Sequence, residues 1–246
     1  MTPPPEHETT RDPSVRAEIV TGVRLSLPAG LGIVPLGIAF GLLVIQHGLS
    51  WWVAPALSFM AYAGSLELLL VGMIATVTPV ATIALTTLLV NFRHVFYALS
   101  FPLRVVRGRL ARLYSVYALT DETYAVTAAA PGTWTHPRLL AAQVALQVYW
   151  VGGGLLGVLI GSLLSGPIEG LEFALCALFI TLTLDACRTR AQVPSLLLAG
   201  LAFGFALVLT PDAVLFTAMA VFVGLLVVRY VIERARGADG MRDSDA

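Results

Sequence analysis

The chain has 246 residues, of which 57% are hydrophobic and only 12% are charged. A soluble domain carries about 25% charged residues, so the composition excludes an ordinary water-soluble protein and favours one with several membrane-spanning helices. The formal net charge is zero, which gives no indication of a nucleic-acid partner, and the absence of lysine excludes a Walker-type motif for ATP binding.

Two polar tails flank the hydrophobic region. Residues 1–18 are rich in proline and lack the apolar core of a signal peptide, and residues 233–246 are also polar. We expect both tails to be disordered, and we expect residues 19–232 to form one transmembrane domain.

Apolar stretches with the length of a bilayer-spanning helix recur along this domain. We therefore interpret the chain as an all-α protein, a polytopic membrane helix bundle of about seven hydrophobic segments. The segments are 28–46, 51–75, 80–101, 139–164, 171–187, 194–210 and 212–230.

The first segment contains Pro28 and Pro35 among several glycines. Proline removes an amide donor and clashes with the preceding turn, and irregular backbone at membrane depth persists only where protein buries it or where it lines a cavity. We expect this segment to be broken or re-entrant. A proline-kinked but continuous helix is the alternative.

Arginines indicate the orientation, because loops that carry them tend to remain in the cytoplasm. Segment 102–138 begins with Arg104, Arg107, Arg109 and Arg112, which predicts that the whole segment is cytoplasmic. Three complete spans before it would place the N-terminus outside, although that end also carries arginines. A segment that enters the membrane and turns back would remove this conflict.

Polar residues inside the hydrophobic segments mark the candidate functional positions, since ionisable groups there are costly. Glu67 is the only charge of the first two segments, and Asn91, Arg93 and His94 occur together in the third. On a helix Asn91 and His94 share a face and Arg93 lies opposite, so this segment either lies inside the bundle or ends near Asn91. The alternatives are an Arg93 that reaches the headgroups and a His94 that is satisfied by a backbone carbonyl.

A second polar group occurs in "YSVYALTDETYAV". On one helix Tyr114, Tyr117, Asp121 and Tyr124 would share an arc, with Glu122 beside them. Two adjacent buried carboxylates can share or relay a proton, and Asp121 could pair with an arginine of the third segment. The alternative is an interfacial helix whose acids face water.

Glycines at 153, 157 and 161 make a smooth stripe on the fourth segment, which allows a close approach of helices. Gly153, Gly157 and Gly161 therefore indicate internal packing or a partner interface. The other two notable residues, Cys176 and Cys187, would lie about 16 Å apart on a helix, too far for a disulfide, and we expect inert packing roles.

Signatures of enzymes are absent. The sequence has no HExxH and no GxSxG motif, and its cysteines and histidines lack metal-ligand spacing. We expect no catalytic residue, no metal and no cofactor.

The stretches "PAGLGIVPLGIAFGLLVIQHGLS", "LSFMAYAGSLELLLVGM", "LLVNFRHVFYALSFP", "LTDETYAV" and "YWVGGGLLGVLIG" resemble the AzlC-like proteins in order and spacing. The resemblance covers about residues 20 to 230. It implies a multi-pass plasma-membrane protein that exports branched-chain amino acids, with a small AzlD-like membrane subunit as partner. We expect the export to be secondary transport coupled to protons or another ion. The family motifs fall on Gly64, Ser65, Asn91, Arg93, His94, Asp121, Glu122 and Trp150. Glu67 departs from the family, which usually has glutamine there.

An amino acid substrate requires partners for both of its charges. Glu67 or Asp121 could hold the ammonium group, and free amides near Pro35 or near Gly64 and Ser65 could hold the carboxylate, since helix N-termini attract anions. A channel for a small solute and a non-transporting membrane scaffold remain the competing interpretations.

Overall fold

A computed structural model describes residues 14–164, 193–211 and 214–242 of the chain, together with six isolated positions. These positions are Gly166, Gly170, Phe173, Cys176, Ala177 and Ile180. Every regular element in the described part is a helix, which confirms the all-α fold. Four helical stretches are long and apolar enough to cross a membrane, namely Val15–Gln46, Val80–Ser100, His136–Leu163 and Phe216–Arg234.

The described residues fall into two compact units, one within 1–78 and 90–167, the other within 79–89 and 168–246. The helices up to residue 163 are α1 (Val15–Gln46), α2 (Val53–Met60), α3 (Gly64–Ala75), α4 (Val80–Asn91), α5 (His94–Ser100), α6 (Arg109–Tyr117), α7 (Asp121–Ala129) and α8 (His136–Leu163), with a 3-10 turn at Leu103–Val105.

Helices α1 and α8 are the central pair of the first unit, and they run parallel. Gly22 near the start of α1 packs on Arg138 near the start of α8, and Gly161 near the end of α8 packs on Ile45 near the end of α1. The two starts are also joined by a buried ion pair, in which the Arg138 guanidinium donates to both carboxylate oxygens of Glu18 at 2.9 and 3.0 Å.

The glycine stripe of α8 lies in this helix pair. A Cβ at Gly153 would lie 2.7 Å from the carbonyl oxygen of Val34, and one at Gly157 would collide with the carbonyl of Ile38. Backbones this close leave no room for a side chain. The stripe therefore serves internal helix packing, which is one of the two alternatives that the sequence indicated.

The expectation that the first segment is broken or re-entrant is wrong. Pro28 and Pro35 both lie inside α1, which is one continuous helix of 32 residues. Each proline removes only one amide donor, and α8 packs along the length of α1 from Gly22 to Ile45. The packing keeps the helix continuous, so the proline-kinked alternative describes it.

The second and third segments contain the interruptions instead. Segment 51–75 forms α2 and α3, which are separated by 61–63, where Tyr62 has a φ of 42°. A positive φ is uncommon for a residue with a side chain. The third segment ends its first helix at Asn91 and begins a second at His94, as one of the two alternatives predicted.

The "YSVYALTDETYAV" stretch is not one helix, so its tyrosines and acids do not share the expected arc. α6 ends at Tyr117, and Thr120 caps the start of α7 by accepting a hydrogen bond from the amide of Thr123 at 3.3 Å. Threonine at this position satisfies an otherwise unpaired amide and favours a new helix.

The turn between α6 and α7 packs along the body of α8. Gln143 donates to the carbonyl of Ala118 at 3.2 Å, and the hydroxyl of Tyr114 donates to Gln147 at 2.9 Å. Trp150, which borders the same space as Glu122, lies about 21 Å along α8 from its start. The middle of segment 102–138 therefore packs against the body of α8, and its cytoplasmic position stays a prediction.

In the second unit, α9 (Val193–Leu209) and α10 (Val214–Arg242) form an antiparallel pair. The guanidinium of Arg229 donates to the hydroxyl of Ser195 at 3.0 Å, and the hydroxyls of Thr210 and Thr217 lie 2.7 Å apart near the connecting turn. Cys176 is free and exposed rather than packed.

Parts of both tails are helical, contrary to the expectation of disorder. α1 begins at Val15, with the hydroxyl of Ser14 accepting from the amide of Ala17, and α10 continues to Arg242. The predicted segment 171–187 and Cys187 lie outside the described residues, apart from the isolated positions.

Candidate functional site

Glu67 lies in the first turn of α3, and its side chain is fully buried. One carboxylate oxygen accepts from the amide of Ala63 at 3.0 Å, and the other accepts from the hydroxyl of Ser58 at 2.8 Å. The indole N–H of Trp150 lies 3.1 and 3.0 Å from the two oxygens. The carboxylate thus joins α2, α3 and α8 at the interruption between α2 and α3.

Arg93 joins three further elements. Its Nη2 donates to Asp121 at 2.6 Å and to the hydroxyl of Ser65 at 2.8 Å, while the phenol of Tyr97 donates to the other oxygen of Asp121 at 2.8 Å. The predicted pairing of Arg93 with an acid is therefore present. Both partners are about half-buried, and the pair connects the starts of α3, α5 and α7.

A cleft of about 300 Å³ lies beside this network. Its walls are Ala61, Tyr62, Ala63, Asn91, His94, Ala98, Val116, Tyr117 and Leu119. Asn91 and His94 thus line one space, as their shared helical face predicted. The cleft combines an interrupted backbone, the polar side chains of Asn91 and His94, two tyrosines and an aliphatic wall.

Asn91 and His94, which line this cleft, both carry hydrogen-bond acceptors in their side chains. The side-chain oxygen of Asn91 is buried and has no partner in the described part of the chain. Nδ1 of His94 lies 2.9 Å from the carbonyl oxygen of Asn91, and since a carbonyl only accepts, Nδ1 carries the proton. Nε2 is then the acceptor of the neutral ring.

A second, narrow space is also lined by Tyr62. Glu122, Thr120, Gly64 and Trp150 line it together with Tyr62, which also borders the wide cleft. Glu122 therefore lines the same space as Trp150, the indole of which donates to Glu67, whereas Asp121, the neighbour of Glu122, pairs with Arg93.

Most of the candidate residues lie together around the two spaces of the first unit, but Pro35 lines neither of them. It is exposed inside continuous α1 and offers no free amide. The sequence analysis missed Ser58, Tyr62 and Tyr97. Ser58 and Tyr62 lie within nine positions of Glu67 and could have been suspected as its local partners, but no sequence signal links Tyr97 to Asp121.

These features define a class of protein: a multi-pass protein of the cell membrane, whose interrupted helices meet at buried polar residues, as is typical of secondary transporters. A family model described as "AzlC protein" matches residues 28–164, more than half of the chain. The chain therefore belongs to the AzlC family.

Relatives agree with this assignment. The "Branched-chain amino acid transport protein AzlC" of Bacillus subtilis is 30% identical over 216 residues, which is 85% of each chain. The "Inner membrane protein YgaZ" of Escherichia coli is 29% identical over 81% of this chain and 86% of its own. An uncharacterized membrane protein of Helicobacter pylori is 32% identical over 63% of this chain and 69% of its own. No solved structure gives a significant match.

Proposed function

We propose that the chain is the large subunit of an exporter that moves branched-chain amino acids out of the cell. The name of the Bacillus subtilis relative supports the substrate class. The observation that carries the proposal is the cleft beside Asn91 and His94, whose volume of about 300 Å³ lies at the lower end of the range for small-molecule sites.

The ammonium group of the substrate binds between Asn91 and His94. An unpaired buried acceptor such as the Asn91 oxygen costs about 1–3 kcal/mol, and an ammonium group offers three donors. Nε2 of His94 supplies a second acceptor.

The carboxylate of the substrate faces the start of α3. The first amides of a helix have no carbonyl partner within it and attract anions, and in α3 these amides belong to Gly64 and Ser65, beside the cleft residue Ala63. The aliphatic side chain then packs on Ala98, Val116 and Leu119.

Neither acid that the sequence suggested as ammonium partner is free for that role. Glu67 is enclosed behind Trp150, and Asp121 is paired with Arg93. Both therefore organise the interrupted helices that frame the cleft, and the neutral acceptors of Asn91 and His94 contact the ammonium group of the substrate.

Coupling to a proton or another ion, the outward direction and the small AzlD-like subunit also belong to this proposal. The last two rest on the family resemblance, and the transmembrane domain would comprise residues 19–232.

Counterflow of labelled valine in proteoliposomes tests the proposal, with the chain co-expressed with its small partner. We expect saturable counterflow, and we expect Asn91→Leu, which keeps the size but removes the acceptor, to lower it at least about tenfold, a loss of about 1.4 kcal/mol. Ser100→Ala, at an exposed position outside the cleft, is the matched control. A channel would give flux without counterflow, a scaffold would give no flux, and wild-type activity in Asn91→Leu would exclude this site.

A further inference from the structure

Glu67 has an unusual set of partners for a buried carboxylate. Every hydrogen bond to it comes from a neutral donor, and no arginine or histidine of the described residues pairs with it. Two of the donors, the amide of Ala63 and the indole of Trp150, can only donate. The third, the hydroxyl of Ser58, can donate or accept.

We propose that Glu67 is the proton-binding residue of the transport cycle and that the Ser58 hydroxyl is its switching partner. This inference rests on the proposed function, and it names the coupling ion and the atom that binds it.

The two protonation states both satisfy the site. In the ionised state Ser58 donates to Oε2 of Glu67, as observed at 2.8 Å. When a hydronium ion transfers its proton to Oε2 and leaves as water, the new O–H donates to the Ser58 oxygen. The Ser58 hydrogen then turns to the carbonyl four residues back, that of Ala54, a bond that serines in helices commonly make. Oε1 keeps its donors from Ala63 and Trp150 throughout.

The groups around Glu67 favour a single negative charge at this place. Glu122 of α7 lines the same narrow space as Trp150, and among the described residues the phenols of Tyr62 and Tyr117 are the other titratable groups that interact electrostatically with Glu67. Phe40 of α1 covers Trp150 with an apolar ring, the two ring centroids lying 5.7 Å apart. Two nearby carboxylates in such surroundings do not readily ionise together.

Protonation at Glu67 acts directly on the substrate cleft. The carboxylate holds the amide of Ala63, and Ala63 with Tyr62 forms the interrupted wall of that cleft. Hydrogen bonds to an ionised carboxylate are about twice as strong as those to a neutral one, so proton binding loosens the start of α3. This links the proton to the position of the substrate.

A fluorescence titration tests proton binding without any transport. Replacing Trp51, Trp52 and Trp134 with phenylalanine leaves Trp150 as the only tryptophan, in contact with Glu67. We expect one single-proton transition, abolished by Glu67→Gln, displaced by at least half a pH unit in Ser58→Ala, and displaced but retained in Glu122→Gln. No transition, or a transition that persists in Glu67→Gln, would overturn the proposal.

Proteoliposomes test coupling with all four tryptophans in place. In Glu67→Gln the side-chain oxygen still accepts from Ala63 and Trp150 but binds no proton, so we expect valine counterflow to remain measurable while the number of protons moved per valine falls below a tenth of the wild-type number. Undiminished proton movement, or loss of counterflow together with it, would contradict the inference. A normal Trp150 titration in a protein without valine counterflow would instead refute the proposed function and leave the proton site standing.

Discussion

The guanidinium of Arg93 donates to the carboxylate of Asp121 at 2.6 Å, although 28 residues separate them in the chain. The same nitrogen holds Ser65 in the first turn of α3. One side chain therefore connects the two places where short helices begin inside the bundle, α3 after Ala63 and α7 after Thr120.

We expect Arg93→Ala and Asp121→Ala each to lower export of labelled valine about tenfold. The double variant should lose about the same tenfold rather than a hundredfold, because the second change removes a partner that is already lost. Arg229 and Glu233, an exposed pair on α10 at 2.7 Å, are the control and should contribute little, as exposed pairs do. If the losses multiply in the Arg93–Asp121 double variant, the contact has no functional role.

Two glycines of α8 are expected to respond to alanine substitution with stability changes in opposite directions. Gly157→Ala should lower the thermal stability in detergent, since its Cβ meets the carbonyl of Ile38 and overpacking costs about 1–3 kcal/mol. Gly152→Ala, on the same helix with no atom within 4 Å, should raise stability slightly, because alanine is favoured over glycine in helices by about 0.5–1 kcal/mol. Equal effects of the two substitutions would place the α1–α8 contact elsewhere.

The fold class followed from hydrophobicity, because segment length and lack of charge are local properties. The positions of the interruptions did not follow. Proline predicted a break at Pro28 and Pro35, but the contact of α1 with α8 kept that helix whole. The actual break after Met60 depends on Ser58, Glu67 and a tryptophan 83 residues away, a tertiary arrangement that no local pattern shows.

The candidate site likewise has features that the sequence could predict and features that it could not. Asn91 and His94 could be placed together because helical spacing alone puts them on one face. The roles of Glu67 and Asp121 could not be separated, since both are lone acids in apolar sequence. Only their partners, an indole and a hydroxyl for Glu67 and a guanidinium for Asp121, distinguish them.

The parallel α1–α8 pair predicts the orientation. If the arginine-rich loop before α8 is cytoplasmic, the start of α1 is cytoplasmic as well and its end is outside. In a variant without Cys176 and Cys187, Ser50→Cys should react with an impermeant thiol reagent added to intact cells. Ser14→Cys and Thr133→Cys should react only after the cells are opened.

Labelling of Ser14→Cys and Thr133→Cys on opposite sides of the membrane would contradict the parallel pair. With the expected pattern, the chain between Gln46 and His136 crosses an odd number of times. Since Val80–Ser100 is long enough to cross, α2 and α3 then enter the membrane and return, which places the re-entrant segment second rather than first.

The pH dependence of valine export distinguishes His94 from Glu67 as the residue that binds the coupled proton. If Glu67 binds the coupled proton, His94→Gln should raise the valine concentration for half-maximal export but leave the shape of the pH profile unchanged. His47 is the matched control, because its Nδ1 also lies 3.0 Å from a backbone carbonyl, that of Leu43, and it does not line the cleft. A displaced pH profile in His94→Gln alone would make His94 the titrating residue instead.

The central claim is that this chain moves branched-chain amino acids through the cleft at Asn91. Uptake of labelled valine into inverted membrane vesicles, which corresponds to export from the cell, measures it directly. We expect uptake that saturates, that leucine and isoleucine inhibit, that an acidic vesicle interior stimulates, and that Asn91→Leu lowers at least about tenfold. Vesicles that contain the folded protein and its partner but show no saturable valine uptake, or the same uptake with Asn91→Leu, would contradict the account.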